Sequence, residues 1–120
     1  RKYTIFVEMN KEDCLLLSVA SYLRLQYPNV LFCHIANERK TSIQQGAKLK
    51  RLGVRAGMPD ILIFQPNKTY SGLAIELKIK PNKPTKNQLE VLTMLSNNNW
   101  NTAVCYDFEE VKTLIDNHLK

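Results

Sequence analysis

Along residues 11–26 (KEDCLLLSVASYLRLQ) the apolar side chains Leu15, Val19, Tyr22 and Leu23 recur at helical intervals between polar positions, which predicts an amphipathic helix. Asn10 stands where an N-cap belongs, Glu12 and Asp13 put negative charge in the first turn, and Tyr27-Pro28-Asn29 closes the segment. The period then shortens. VLFCHI (30–35) is β-branched and aromatic and predicts a strand, NERKTS after it is a polar loop, and SIQQGAKLKRL (42–52) predicts a short helix weakened by Gly46 and stopped at Gly53. DILIF (60–64) is apolar on both faces, so it is expected in the middle of a sheet. PNKTYSG (66–72) has turn composition, and LAIELKI (73–79) is the strand expected to return antiparallel beside DILIF.

Further on, the basic loop KPNKPTKNQ leads into a predicted helix over 85–97, with Thr85 as its cap and Leu89, Leu92 and Leu95 on its inner face. NNNW reads as a turn, TAVCY (102–106) as a strand, and FEEVKTLIDNHL (108–119) as a terminal helix capped by Asp107. Helix, strand, helix, hairpin, helix, strand, helix is an α/β order: one central mixed sheet flanked by helices. A chain of 120 residues has room for one domain over 1–120 with a single modest core. Residues 1–8 (RKYTIFVE) show no secretory signal and are expected to be a flexible or added end, with Met9 a candidate natural start. No apolar run approaches the roughly 20 residues a bilayer span requires, so no membrane partner is expected.

Charge narrows the choice of partner. Seventeen Lys and Arg against eleven Asp and Glu give a net charge of +6 and a pI near 9.3, which suits a polyanion. The three cysteines, Cys14, Cys33 and Cys105, lie far apart among apolar neighbours and read as small buried hydrophobes in a reducing cytoplasm. No C-x-x-C pair is present, so His34 beside Cys33 reads as structural and not as a zinc ligand.

The chemistry is concentrated in two short stretches, MPD (58–60) and ELK (76–78). Strand side chains alternate, so Glu76 and Lys78 share one face while Ile75, Leu77 and Ile79 take the other. On its own that pair reads more readily as the solvent face of an edge strand. Asp60 changes the balance, because a hairpin between the two strands sets its carboxylate opposite Glu76. Like charges so close need a cation between them, and an all-oxygen set without His or Cys favours Mg²⁺ or Mn²⁺. Pro59 fixes φ ahead of Asp60, and Gly57 permits a sharp turn or a close backbone approach. Such an ion would polarise a phosphoryl oxygen and Lys78 would offset the growing negative charge, which makes phosphodiester hydrolysis the natural reaction.

The spaced pattern G-M-P-D (57–60), I-E-L-K (75–78) and P-T-K-N-Q (84–88) resembles the PD-(D/E)XK nuclease superfamily. More narrowly it is similar to the virus-type replication-repair nuclease (VRR-NUC) family in its small standalone phage and bacterial form. The resemblance implies a restriction-endonuclease-like fold and metal-dependent cutting of branched DNA, such as a four-way Holliday junction, by a homodimer in the cytoplasm of a bacterial or phage-infected cell. It implies metal ligation by Asp60, Glu76, the backbone carbonyl of Leu77 and Glu12 on the first helix. Lys78 would be the catalytic lysine, and Gln88 the glutamine that lines the site from the following helix. Glu12 reads equally well as an acid favoured by the helix dipole, and Gln88 as a solvated first-turn residue. The first helix departs from its relatives at Leu16 and Leu17, where a polar residue often stands.

Lys48, Lys50, Arg51 and Arg55 precede the acids and Lys80, Lys83 and Lys86 follow them, a positive rim suited to gripping phosphates. Asn37, Glu38 and Arg39 are further candidates for a DNA-facing loop. Trp100 reads as core before it reads as a dimer contact. Flap, nicking or restriction-type cleavage, and a catalytically silent DNA-binding module of the same fold, remain the alternatives; a helix-turn-helix is disfavoured because TSIQQGAKLKRLG has no partner helix.

Overall fold

The computed structural model describes residues 9–36 and 42–120, so residues 1–8 and the loop candidates Asn37, Glu38 and Arg39 lie outside the described residues. Within them the order is α1 (Lys11–Gln26), β1 (Phe32–His34), α2 (Ile43–Arg51), β2 (Ile61–Ile63), β3 (Gly72–Leu77), α3 (Lys86–Asn97), β4 (Trp100–Cys105) and α4 (Phe108–Leu119). The expected caps form. The Asn10 side chain accepts from the Asp13 N–H at 2.8 Å, Thr85 from the Gln88 N–H at 3.2 Å and Asp107 from the Glu110 N–H at 2.9 Å; Ser42, expected inside α2, caps it instead. Gly53 takes a φ of 102° just past α2, the left-handed turn that ends a helix without a Cβ penalty.

The sheet runs β1-β2-β3-β4, antiparallel across β1, β2 and β3 and parallel between β3 and β4. The parallel neighbour requires a crossover, and α3 supplies it. Ile61, Ile63, Leu73, Ile75 and Leu77 face α1 and α4, where Leu15, Val19, Leu23, Val111 and Ile115 complete the larger core. Leu62 and Ala74 face α3 and pack on Leu92, with Trp100 and Val104 partly buried beside them. The fold is therefore a mixed sheet between two helical layers, as the residue pattern predicts, and β2 is buried on both faces.

Several sequence expectations are corrected. Cys14 and Cys33 are exposed and only Cys105 is buried, because β1 is an edge strand and Cys14 lies on the outer side of α1. On α3 Leu89 is half exposed while Val91 is buried, since a strict three-residue spacing drifts off a 3.6-residue face. The last strand begins at Trp100, two residues early, after Asn99 turns the chain at φ 68°. Glu76 is on an interior strand and only 1% exposed, so it is not the solvent face of an edge.

Two polar clusters tie helices to the frame. Tyr22 and Tyr27 of the first helical layer both donate to Asp116 Oδ1, at 2.7 and 2.5 Å. His118, 3% exposed, reaches the Gln65 carbonyl through Nε2 at 2.7 Å and the Asn67 side-chain amide through Nδ1 at 3.1 Å.

Candidate metal centre

β2 and β3 are in register at Ile61↔Ile75, and one step beyond that pair Asp60 and Glu76 stand opposite each other on the α3 side of the sheet. The ladder does not continue in the usual way: Asp60 Oδ2 takes the Leu77 N–H at 2.7 Å, so a side chain replaces the strand partner. The first turn of α1 brings Glu12 to the same place. One carboxylate oxygen each from Glu12, Asp60 and Glu76 lies within 4.8 Å of the others. Lys78 Nζ sits 3.5 Å from Glu76 Oε2 with its side chain only 14% exposed. A cavity of about 400 Å³ opens here, walled by Glu12, Asp60, Glu76, Leu77, Lys78 and Gln88.

The electrostatics are those of crowded, buried carboxylates that one lysine only partly offsets. Burial pushes Glu76 up to about 8; the Asp60 carboxylate and, less strongly, Glu12 push the same way against the pull of Lys78. Asp60 is also raised, chiefly by burial, although the Leu77 N–H, His34 and Lys78 each draw it back. Burial and then the charge of Asp60 raise Glu12. Glu76 Oε1 is buried and has no hydrogen-bond partner among the described residues. An orphaned carboxylate oxygen beside two more carboxylates suits a hard divalent cation, and the absence of Cys or His from the cluster argues against zinc.

The flanks follow from backbone packing. Gly57 has a φ of 87°, and a Cβ there would meet the Asn87 backbone at 2.8 Å, so the turn before Asp60 lies directly on the start of α3. Gln88, whose Oε1 accepts from the Thr85 N–H at 2.8 Å, closes the capping box of that helix while lining the cavity. Lys80, Lys83 and Lys86 are exposed on the segment joining Lys78 to Gln88. Lys48, Lys50 and Arg51 are exposed or nearly so along the end of α2, and Arg55 pairs with Glu90 of α3 at 3.5 Å. Lys80 also stacks over the Tyr106 ring, 5.8 Å from its centroid.

Sequence reasoning missed Asp13, Leu16, His34 and Ala36 in the cavity wall. Leu16 follows once Glu12 is placed, because i and i+4 share a helix face, and Asp13 stands one turn before Leu16 at i, i+3. His34 ends β1 and Ala36 lies just past it, and the pairing partner of that strand is revealed by no local spacing.

A family model described as the VRR-NUC domain matches residues 11–108, which include every one of these side chains. A solved structure titled "VRR_NUC domain protein" is 24% identical with a TM-score of 0.75, over 94% of this chain and 91% of that one. Another, titled "VRR_NUC domain", is 21% identical with a TM-score of 0.54, over 90% of this chain and 97% of that one. These likenesses are of fold. No curated protein matches the chain.

Proposed function

The chain belongs to the VRR-NUC family, whose membership implies a nuclease-type function on DNA, and from that premise we propose a metal-dependent, structure-specific endodeoxyribonuclease. The observation that carries the metal dependence is the buried, unpartnered Glu76 Oε1 within a cluster of three carboxylates. Asp60, Glu76, the Leu77 carbonyl and Glu12 would hold Mg²⁺ or Mn²⁺. Bound there, such an ion supplies the Lewis acidity that phosphodiester hydrolysis requires. Lys78, tethered to Glu76 and nearly buried, offers its ammonium to negative charge developing on the phosphate. Gln88 lines the same cavity from α3; with its Oε1 held by the Thr85 N–H, its amide nitrogen is the group it would offer to a phosphate or water.

Grip on DNA falls to the basic rim. Lys80, Lys83 and Lys86 lie in the chain between Lys78 and Gln88, and Lys48, Lys50, Arg51 and Arg55 precede Asp60; all would act by phosphate neutralisation and not by base reading. The substrate we favour is branched DNA, a four-way junction, cut by a homodimer whose two-fold axis relates the paired incisions. Leu25, Leu31, Ile43, Leu52 and Val54 are each more than half exposed, apolar surface that a second copy would cover. Among the described residues no helix is long and apolar enough to cross a membrane.

A gel assay on a synthetic four-way junction, a flap and plain duplex, each with Mn²⁺, Mg²⁺ or chelator, tests this. Junction cutting that requires the cation and is lost in Asp60→Asn is expected, with junction binding retained. Preferential cutting of flap or duplex would remove the junction assignment, and cation-independent cutting would remove the metal. Binding should also fall steeply with salt, roughly one log unit of affinity per log unit of salt for each phosphate neutralised.

A further inference from the structure

His34 belongs to none of the roles above, yet it touches the site at a telling place. Its Nδ1 lies 2.7 Å from the backbone carbonyl oxygen of Asp60, and the Ile35 N–H reaches the same oxygen at 3.2 Å. A carbonyl oxygen only accepts, so Nδ1 carries the proton and the ring orientation is set by that bond. The ring forms part of the wall between the acidic cavity and the apolar groove under α1. It is not one of the groups whose ligand atoms converge, so it is not poised to coordinate the same ion.

The place of the bond gives it leverage. β1 pairs with β2 as far as His34↔Ile61, and β2 with β3 as far as Ile61↔Ile75. Asp60 is thus the first residue past both ladders, and its carbonyl is anchored by Ile35 and His34 while its carboxylate holds the Leu77 N–H at 2.7 Å. Rotation of the backbone at Asp60 would swing that carboxylate away from Glu76. We propose that His34 is a positioning residue for the metal centre: its Nδ1–H fixes the carbonyl of Asp60 and thereby the point from which the Asp60 carboxylate projects. The inference deepens the proposed site and rests on it for its metal consequence.

Two variants and two measurements on the purified chain test it. His34→Ala removes the donor; His34→Asn keeps an N–H donor near the position of Nδ1. His34 is exposed on an edge strand, so both variants are expected to fold, which a thermal melt checks. Calorimetric Mn²⁺ affinity should fall about tenfold or more in His34→Ala and recover most of that loss in His34→Asn. In chelator, amide hydrogen exchange at Leu77 should quicken in His34→Ala and slow again in His34→Asn, while other β3 amides keep their protection. Wild-type values for both quantities in His34→Ala, or a His34→Asn variant no better than His34→Ala, overturn the proposal. If the wild type binds no Mn²⁺, the metal reading fails by itself, and Leu77 exchange alone decides: unchanged exchange in His34→Ala overturns the positioning role. Should His34→Ala lose protection throughout β3, His34→Asn decides, and Leu77 exchange far faster than wild type in that folded variant overturns it.

Discussion

The two ends of the β2–β3 hairpin bury polar side chains under opposite rules. At the loop end His118 is almost fully enclosed and both ring nitrogens are matched: Nε2 donates to the Gln65 carbonyl and Nδ1 accepts from Asn67. The Asn67 amide cannot be reversed, because its Oδ1 already takes the Thr69 and Tyr70 N–H groups at 2.8 and 2.7 Å. At the other end Glu76 is equally enclosed, yet one oxygen is unpartnered and two further carboxylates crowd it. Hydrogen bonding at the first end is complete within the protein; at the second, among the described residues, it is not. A satisfied buried group stabilises its fold, and an unsatisfied one beside like charges is where binding energy for a cation can come from.

The strongest way to break the contrast is to exchange the signatures of the two ends. Glu76→Gln should remove at least about a hundredfold of cation-supported cleavage in the gel assay. Without metal the same variant should melt no lower than wild type, because a repelled buried carboxyl becomes a neutral amide. His118→Ala should do the reverse: a loss of roughly 2–4 kcal/mol in denaturant unfolding, with cleavage per folded molecule near wild type. If His118→Ala abolished cutting while remaining folded, the separation of the two ends would be mistaken.

Added cation sharpens the comparison by a smaller amount. Mn²⁺ at about a hundred times its Kd should stabilise the wild type by about 2.7 kcal/mol and leave Glu76→Gln nearly unmoved, read as melting temperatures with and without chelator.

The smallest effect is the sign of the pH dependence. The folded-state value for Glu76 is raised from 4.5 to about 8, so the metal-free native state holds the extra proton; stability is greatest below the ordinary value and falls as pH rises through that window. Mn²⁺ affinity should rise over the same window as that proton is released. Asp116 has the opposite sense. The Tyr27 and Tyr22 hydroxyls hold it below the ordinary 3.8, so its contribution is present above that value and lost only as pH falls below it. Melts in chelator from pH 5 to 9 should therefore slope downward for wild type and lie flatter for Glu76→Gln.

Sequence legibility tracked the range over which each contact is decided. The juxtaposition of Asp60 and Glu76 was legible because period-2 alternation and a hairpin fix which side chains stand opposite. The caps at Asn10, Thr85 and Asp107 were legible because a cap is a local bond. Cys33 misled because VLFCHI looks apolar from its own composition, while its exposure depends on β1 lying at the sheet edge. Val91 was missed because only the packing of α3 reveals its inner face. His34 bonding Asp60 across 26 residues, and Tyr22 meeting Asp116 across 94, leave no spacing to read.

β3 carries the site on the most enclosed strand of the sheet, all six of its residues buried between β2 and β4, whereas α2 buries none. Local opening follows that gradient, so gentle warming frays α2 long before any fluctuation short of whole-molecule collapse can bare the carboxyl of Glu76 to bulk water. Thermal loss of the proposed cleavage is thereby expected to coincide with the melting of the last cooperative unit.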